Sequence, residues 1–368
     1  MDLSTNGIVF LEEAVSIAVF VRLLKRLIKR LLKLNRRIFT LALALVFVAG
    51  LFLSAVEPSQ AADGLSYGGL EFFGSSQMTR QEVEKSLHLR PGASEKSVES
   101  SAESFRKKVE KMRLAANVQI VVDPPAKLFI VVDFEDKPGY GVPTRTLKQP
   151  HHVTTQSEKP ELLLQKLRDR IERLKQEGRD WKETYPGGVR MFSDEPANQL
   201  VTELRRFCPT MRNEFLEITI SDPNHLRRCD AIELLNWSGT YVDTCTQLIG
   251  SIDDSHVEVR SAADQFIFAR LENLPDNFPY DKLALSLVRQ LKRPSHTDRN
   301  KAIHFIMALI RKYPSMIPGF HQTCGKEVER FATESQISSL RRTANDLLSV
   351  LSAPLPVTPG PKIPSSGF

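Results

Sequence analysis

Apolar and polar positions follow different rhythms in successive stretches of the chain. Ile38 to Val56, IFTLALALVFVAGLFLSAV, is a run of 19 residues without a charge, with Arg36 and Arg37 immediately before it. Just upstream, Arg22, Lys25, Arg26, Lys29, Arg30 and Lys33 alternate with Leu24, Leu27, Ile28, Leu31 and Leu32, the spacing of a basic amphipathic helix suited to an anionic inner leaflet. A start codon placed too early is the other reading of that leading stretch. Between residues 65 and 138 the rhythm shortens. Leu70 to Phe73 reads as a strand ending at Gly74, and Thr79 with Glu82 three residues on is a capping box for a helix reaching Leu87. Pro91-Gly92 break the chain before a second helix, Glu95 to Met112, with Val98, Ala102, Phe105, Val109 and Met112 on one face. Val118 to Val122 and Leu128 to Phe134 are β-rich runs joined by Asp123-Pro124-Pro125. A β-α-α-β-β order of a small α+β domain follows.

Residues 139–160, with Pro143, Pro150 and Pro160, lack an apolar period and read as a linker. Residues 161–194 supply a charged helix, Glu161 to Glu177, seamed by Leu163, Leu167, Ile171 and Leu174, and then an irregular connector. From 195 to 352 the helical period returns in pairs separated by Pro, Gly and Asp. Isolated helices of that size are marginal in water, so they must stack on their neighbours. The tail from 353 to 368 holds Pro354, Pro356, Pro359, Pro361 and Pro364 and is expected to be disordered. The fold expected is therefore multidomain: a hydrophobic signal or anchor segment within 1–62, the α+β domain at 65–138, and an all-α array in the C-terminal half.

A tetrapeptide punctuates that array. Arg228-Cys-Asp-Ala231, Arg260-Ser-Ala-Ala263, Arg299-Asn-Lys-Ala302 and Arg341-Arg-Thr-Ala344 share Arg-x-x-Ala, with alanines 32, 39 and 42 residues apart. Asp222 and Asp254 each precede their arginine by six positions. Recurrence at this length implies stacked helical units. The small Ala permits close helix packing, and Asp and Arg can bridge successive units; Asp254 can also cap its helix. These ten residues, Asp222, Arg228, Ala231, Asp254, Arg260, Ala263, Arg299, Ala302, Arg341 and Ala344, are expected to be structural.

Charge and cysteines narrow the partners. The chain carries a net +6, of which +5 lies in residues 1–37, so bulk charge gives no support for a nucleic-acid surface. Cys208, Cys229, Cys245 and Cys324 match no zinc spacing and read as buried free thiols, or as one disulfide if the chain is exported. Export is what the N-terminus implies. A positive flank, an apolar run and Ser59-Gln-Ala-Ala62 make a secretory signal cleavable after Ala61, and the same run is long enough to stay in a bilayer. In either case the rest of the chain is expected beyond the cytoplasmic membrane, in the periplasm.

Two resemblances sharpen this picture. LEFFGSSQMTRQEVEKSLHLRPG, a long helix, and VQIVVDPPAKLFIVVDFEDKP, with Glu135 and Pro138 closing the module, resemble a POTRA domain. That family sits outside the cytoplasmic membrane and takes partner chains by strand addition to a sheet edge, which is what the resemblance implies here. The C-terminal half reads as helical instead of as a β-barrel, so a barrel-insertase role is not implied. SDPNHLRRCDAIELL and DDSHVEVRSAADQFIFARL resemble the second helix of HEAT-type repeats, an armadillo-like helical architecture, across roughly 196–352. HTDRNKAIHFIMALI is similar to a segment of exported bacterial HEAT-repeat proteins of unassigned function.

Catalytic patterns are missing from the sequence. It has no Gly-x-Ser-x-Gly, no phosphate loop, no dinucleotide fingerprint and no His-Glu-x-x-His. His151-His152 sit in the polar linker and read as solvent-exposed. His225 and His256 stand three and four residues before their arginines, which repeat architecture explains. No catalytic, cofactor or metal residue is expected, and the chain reads as a non-enzyme: a cell-envelope scaffold that binds protein partners. One alternative is a single-pass inner-membrane protein, anchored by an uncleaved 38–56, whose POTRA-like domain docks an envelope partner. The other is an envelope enzyme, which would need histidines and carboxylates from separate repeats to gather in one cleft.

Overall fold

A computed structural model describes residues 65–73, 77–134, 142, 144–147 and 149–353. The signal or anchor expected within 1–62, Gly74, Glu135, Pro138, Pro143 and the Pro-rich tail from 354 lie outside the described residues. The described part is mostly helical, with a small mixed sheet near its N-terminus. Among the described residues no helix is long and apolar enough to cross a membrane.

The sheet is built from β1 (Ser66–Phe73), β2 (Ala116–Asp123) and β3 (Lys127–Phe134), in the order β1-β3-β2. β3 runs parallel to β1 and antiparallel to β2. Between β1 and β2 the chain forms α1 (Arg80–Leu87) and α2 (Glu95–Lys111). Thr79 and Glu82 form the reciprocal capping box that starts α1. Leu128, Ile130, Val132 and Phe134 of β3 pack on α1 and α2, with Val83, Val98, Ala102, Phe105 and Val109.

The opposite face of the sheet is not open to solvent. Phe129 and Val131 of β3 and Phe73 of β1 belong to the large core of the helical region. β3 is therefore covered on both sides, which explains its near-continuous apolar run LFIVVDF. Gly69, at φ +153, lets the helical region come close: a Cβ there would lie 2.6 Å from Gln336 Oε1.

The helical region begins with α3 (Lys159–Gln176), followed by a two-stranded ribbon, β4 (Glu183–Thr184) and β5 (Met191–Phe192), in the segment expected to be irregular. Then come α4 (Glu195–Phe207), α5 (Arg212–Ser221), α6 (His225–Leu234), α7 (Tyr241–Leu248), α8 (Val257–Phe268), α9 (Tyr280–Leu291), α10 (His296–Lys312), α11 (Ile317–Glu334) and α12 (Ser338–Leu351). The helices that open on Arg-x-x-Ala pack in sequence order, α6 on α8, α8 on α10, α10 on α12. Ala231, Ala263, Ala302 and Ala344 are all buried at these crossings. The sheet docks at the far end of this row, so the first-made domain rests on the last-made helices.

Candidate functional site

The charged residues of the helix starts form a chain of buried ion pairs. Fully buried Arg228 makes a bidentate bond to Asp254 of the next helix start, at 2.8 and 3.1 Å, and donates back to the Asp222 carbonyl at 2.7 Å. Arg260 does the same one step on, bidentate to Asp298 and back to the Asp254 carbonyl. Asp254 also accepts the His256 N–H. Burial works to raise its carboxyl, yet hydrogen bonds from Arg228 and His256 hold it below the usual carboxylate range.

Arg299 breaks the series in an informative way. Its backward bond to the Arg293 carbonyl is present at 3.1 Å. The forward carboxylate stands six residues before Arg260 (Asp254) but one before Arg299 (Asp298), and before Arg341 neither position, Ser335 or Leu340, supplies one. Arg299 reaches instead to Asp133 of β3, at 2.7 Å, with both side chains fully buried. The other Asp133 oxygen accepts the His296 N–H at the start of α10. Burial pushes the Asp133 carboxyl up, and Arg299 and His296 pull against it. Two more sheet carboxylates cap α12 and the turn before it: Asp123 accepts from Ser338 and Ser339 N–H, and Glu71 from Gln336 N–H. The guanidinium of Arg299 also stacks on Phe73, 4.0 Å from its ring centroid. Arg341, the fourth arginine, is exposed and reaches the Ser335 carbonyl at 3.4 Å.

The segment after the sheet lies along the same row. Arg293 donates to the Val142 carbonyl, and Arg145 N–H bonds the Asp253 carbonyl at 2.6 Å. The Arg145 guanidinium binds Asp254, the Thr219 carbonyl and Ser251 Oγ. His151 N–H then meets the Ser221 carbonyl, Arg227 the Val153 carbonyl, and Gln156 N–H the carboxylate of Glu214. The described residues between 142 and 156 thus run back from α9 to α5 as a fastened strap. His151 and His152 are exposed on it.

Other ionisable groups are distributed differently. Arg270 is fully buried with no carboxylate partner among the described residues; it donates to the Phe266 carbonyl and Asn236, stacks on Phe266, and burial lowers it to about 10. Asp264 is buried beside Gln290, and burial pushes it up to about 7. The four cysteines are free, and burial pushes each thiol up to about 12.

The histidines of two successive helix starts come together. His225 and His256 stack face to face, ring centroids 4.2 Å apart and planes 2° from parallel. Glu258 joins them, with one ligand-type atom from each residue lying within 4.8 Å of the others. Standing three residues before Arg228 and four before Arg260, they meet once α6 packs on α8; the sequence alone showed these nearly equivalent positions and not the carboxylate beside them. Gln119 and β2 lie elsewhere, at the outer edge of the sheet, where Arg106 of α2 donates to the Val118 carbonyl at 3.0 Å.

No family model, no curated protein and no solved structure matches this chain.

Proposed function

We propose that the chain is a non-catalytic protein-binding scaffold of the cell envelope, a POTRA-like module mounted on a HEAT-like helical array. One observation carries this reading. Arg228, Arg260 and Arg299, the residues with most chemical potential, are consumed in holding the row together, whereas β2 ends the sheet. The Val118 carbonyl points away from β3, toward Arg106. Alternate residues of an antiparallel strand share that direction, so Ile120 and Val122 offer backbone groups to an incoming strand. The array fixes the sheet's other face and thereby holds the edge in one orientation.

The test is capture of partners from an envelope fraction by the full-length protein and by Ile120→Pro, which removes one edge donor. Loss of capture with an unchanged melting curve supports strand addition at β2. Undiminished capture by the folded variant removes it. The apolar run 38–56 favours a second reading, a retained single-pass anchor. Mature protein whose first residue lies near Ala62 would eliminate that version.

A further inference from the structure

We propose that His225, His256 and Glu258 form a binding site for a divalent transition metal of the zinc type, clamping α6 to α8. Two imidazoles and one carboxylate make a donor set suited to zinc, and to cobalt as its spectroscopic substitute. The three side chains come from two successive helix starts and converge within 4.8 Å. Among the described residues none of the three side chains makes a hydrogen bond or an ion pair; the imidazoles stack on each other, and Glu258 is exposed. Both imidazoles are half-buried, accessible to an ion and anchored by the backbone of their helix starts.

Beside the histidines, Asp254 is bound by both Arg228 and Arg145. Glu258 supplies the negative charge of the donor set. The thiol of Cys229, one turn after His225, is held protonated by burial and stays outside the donor set.

Geometry sets what binding must change. Ligand atoms on a tetrahedral zinc lie about 3.3 Å apart, with each nitrogen about 2.0–2.1 Å from the ion. An ion shared by two imidazoles lies near both ring planes, which two parallel rings cannot offer. Binding must tilt the rings out of the stack and draw Glu258 inward. Half-buried rings and an exposed carboxylate can do this by side-chain rotation alone.

The experiment uses the untagged full-length protein, titrated with Zn2+ by calorimetry and with Co2+ by visible absorption. One equivalent is expected to bind, with Co2+ giving the absorption bands of a low-coordinate site and Zn2+ raising the melting temperature. His225→Ala and His256→Ala are each expected to weaken Zn2+ at least about tenfold, with Glu258→Gln in the same direction. A His151→Ala/His152→Ala variant separates the exposed strap histidines and should bind as the parent does. No Zn2+ binding by the parent overturns the site, as do folded His225 or His256 variants with parental affinity. So does loss of binding in the strap variant.

Discussion

Asp133→Ala is the sharpest test of how the molecule is joined. The substitution removes the carboxylate that faces Arg299 at 2.7 Å and accepts the His296 N–H. Both members of the pair are fully buried, so Arg299 keeps its charge and loses its counter-ion away from water. Removing one partner of such a pair costs about 3–5 kcal/mol, and loss of the helix-start acceptor adds about 0.5–2 kcal/mol. Against a typical stability of about 5–15 kcal/mol this is a large fraction. The assay is urea denaturation of the full-length protein, followed by far-UV circular dichroism and by tryptophan fluorescence. Both tryptophans, Trp181 and Trp237, lie in the helical region, so fluorescence reports on the partner of the sheet and not on the sheet itself. A large fall in the fluorescence midpoint is expected even though the substitution is in β3. Asp133→Leu combined with Arg299→Met should recover most of the loss, because an apolar pair of similar volume carries no buried charge. A midpoint unchanged by Asp133→Ala, or a double variant as weak as the single one, would refute the reasoning.

Three further outcomes are expected. Asp264 titrates near 3.8 unfolded and about 7 folded, so the folded state loses stability as pH rises between those values; Asp264→Asn should remove that slope and stabilise the protein at pH 8, by on the order of 4 kcal/mol at most, and a parental pH profile in the variant would sink the idea. All four thiols should resist alkylation at pH 8 until denaturant is added, since burial keeps them protonated; rapid native labelling of Cys208, Cys245 or Cys324 would contradict the packing. Arg145→Ala should release the strap and speed proteolysis within 142–157 several-fold, read by mass spectrometry of the fragments, whereas cleavage at the parental rate would show that this arginine does not fasten it.

The sequence carried its helices and strands in plain view where each buries one face. The capping box at Thr79, the Val98–Val109 stripe and the Arg-x-x-Ala starts needed only local periodicity. Strand limits moved by a few residues, because β1 reaches back to Ser66 through two glycines with no apolar signal. What escaped was the docking. An aspartate between valine and phenylalanine in β3 hinted at a buried partner, yet that partner lies 166 positions away and no local pattern names it. The strap was equally opaque, since its bonds are made by backbone groups and one arginine in a polar stretch. The histidine pair was legible as two nearly equivalent positions, and only the packing of α6 on α8 turned that into contact. Ile317 to Glu334, broken in sequence by Pro318 and Gly319, is a continuous helix because Pro318 falls in its first turn, where no donor is required.

The carboxylates of the sheet have a consequence for synthesis. Asp123 is released from the ribosome 216 residues ahead of Ser339, whose amide it caps. At about 5–20 residues per second, roughly 10–40 s pass in which the nascent strands expose Phe73, Phe129 and Val131 with nothing to lie against. The newborn chain thus has a greasy flank through most of that interval, and its closure waits on α12 to emerge.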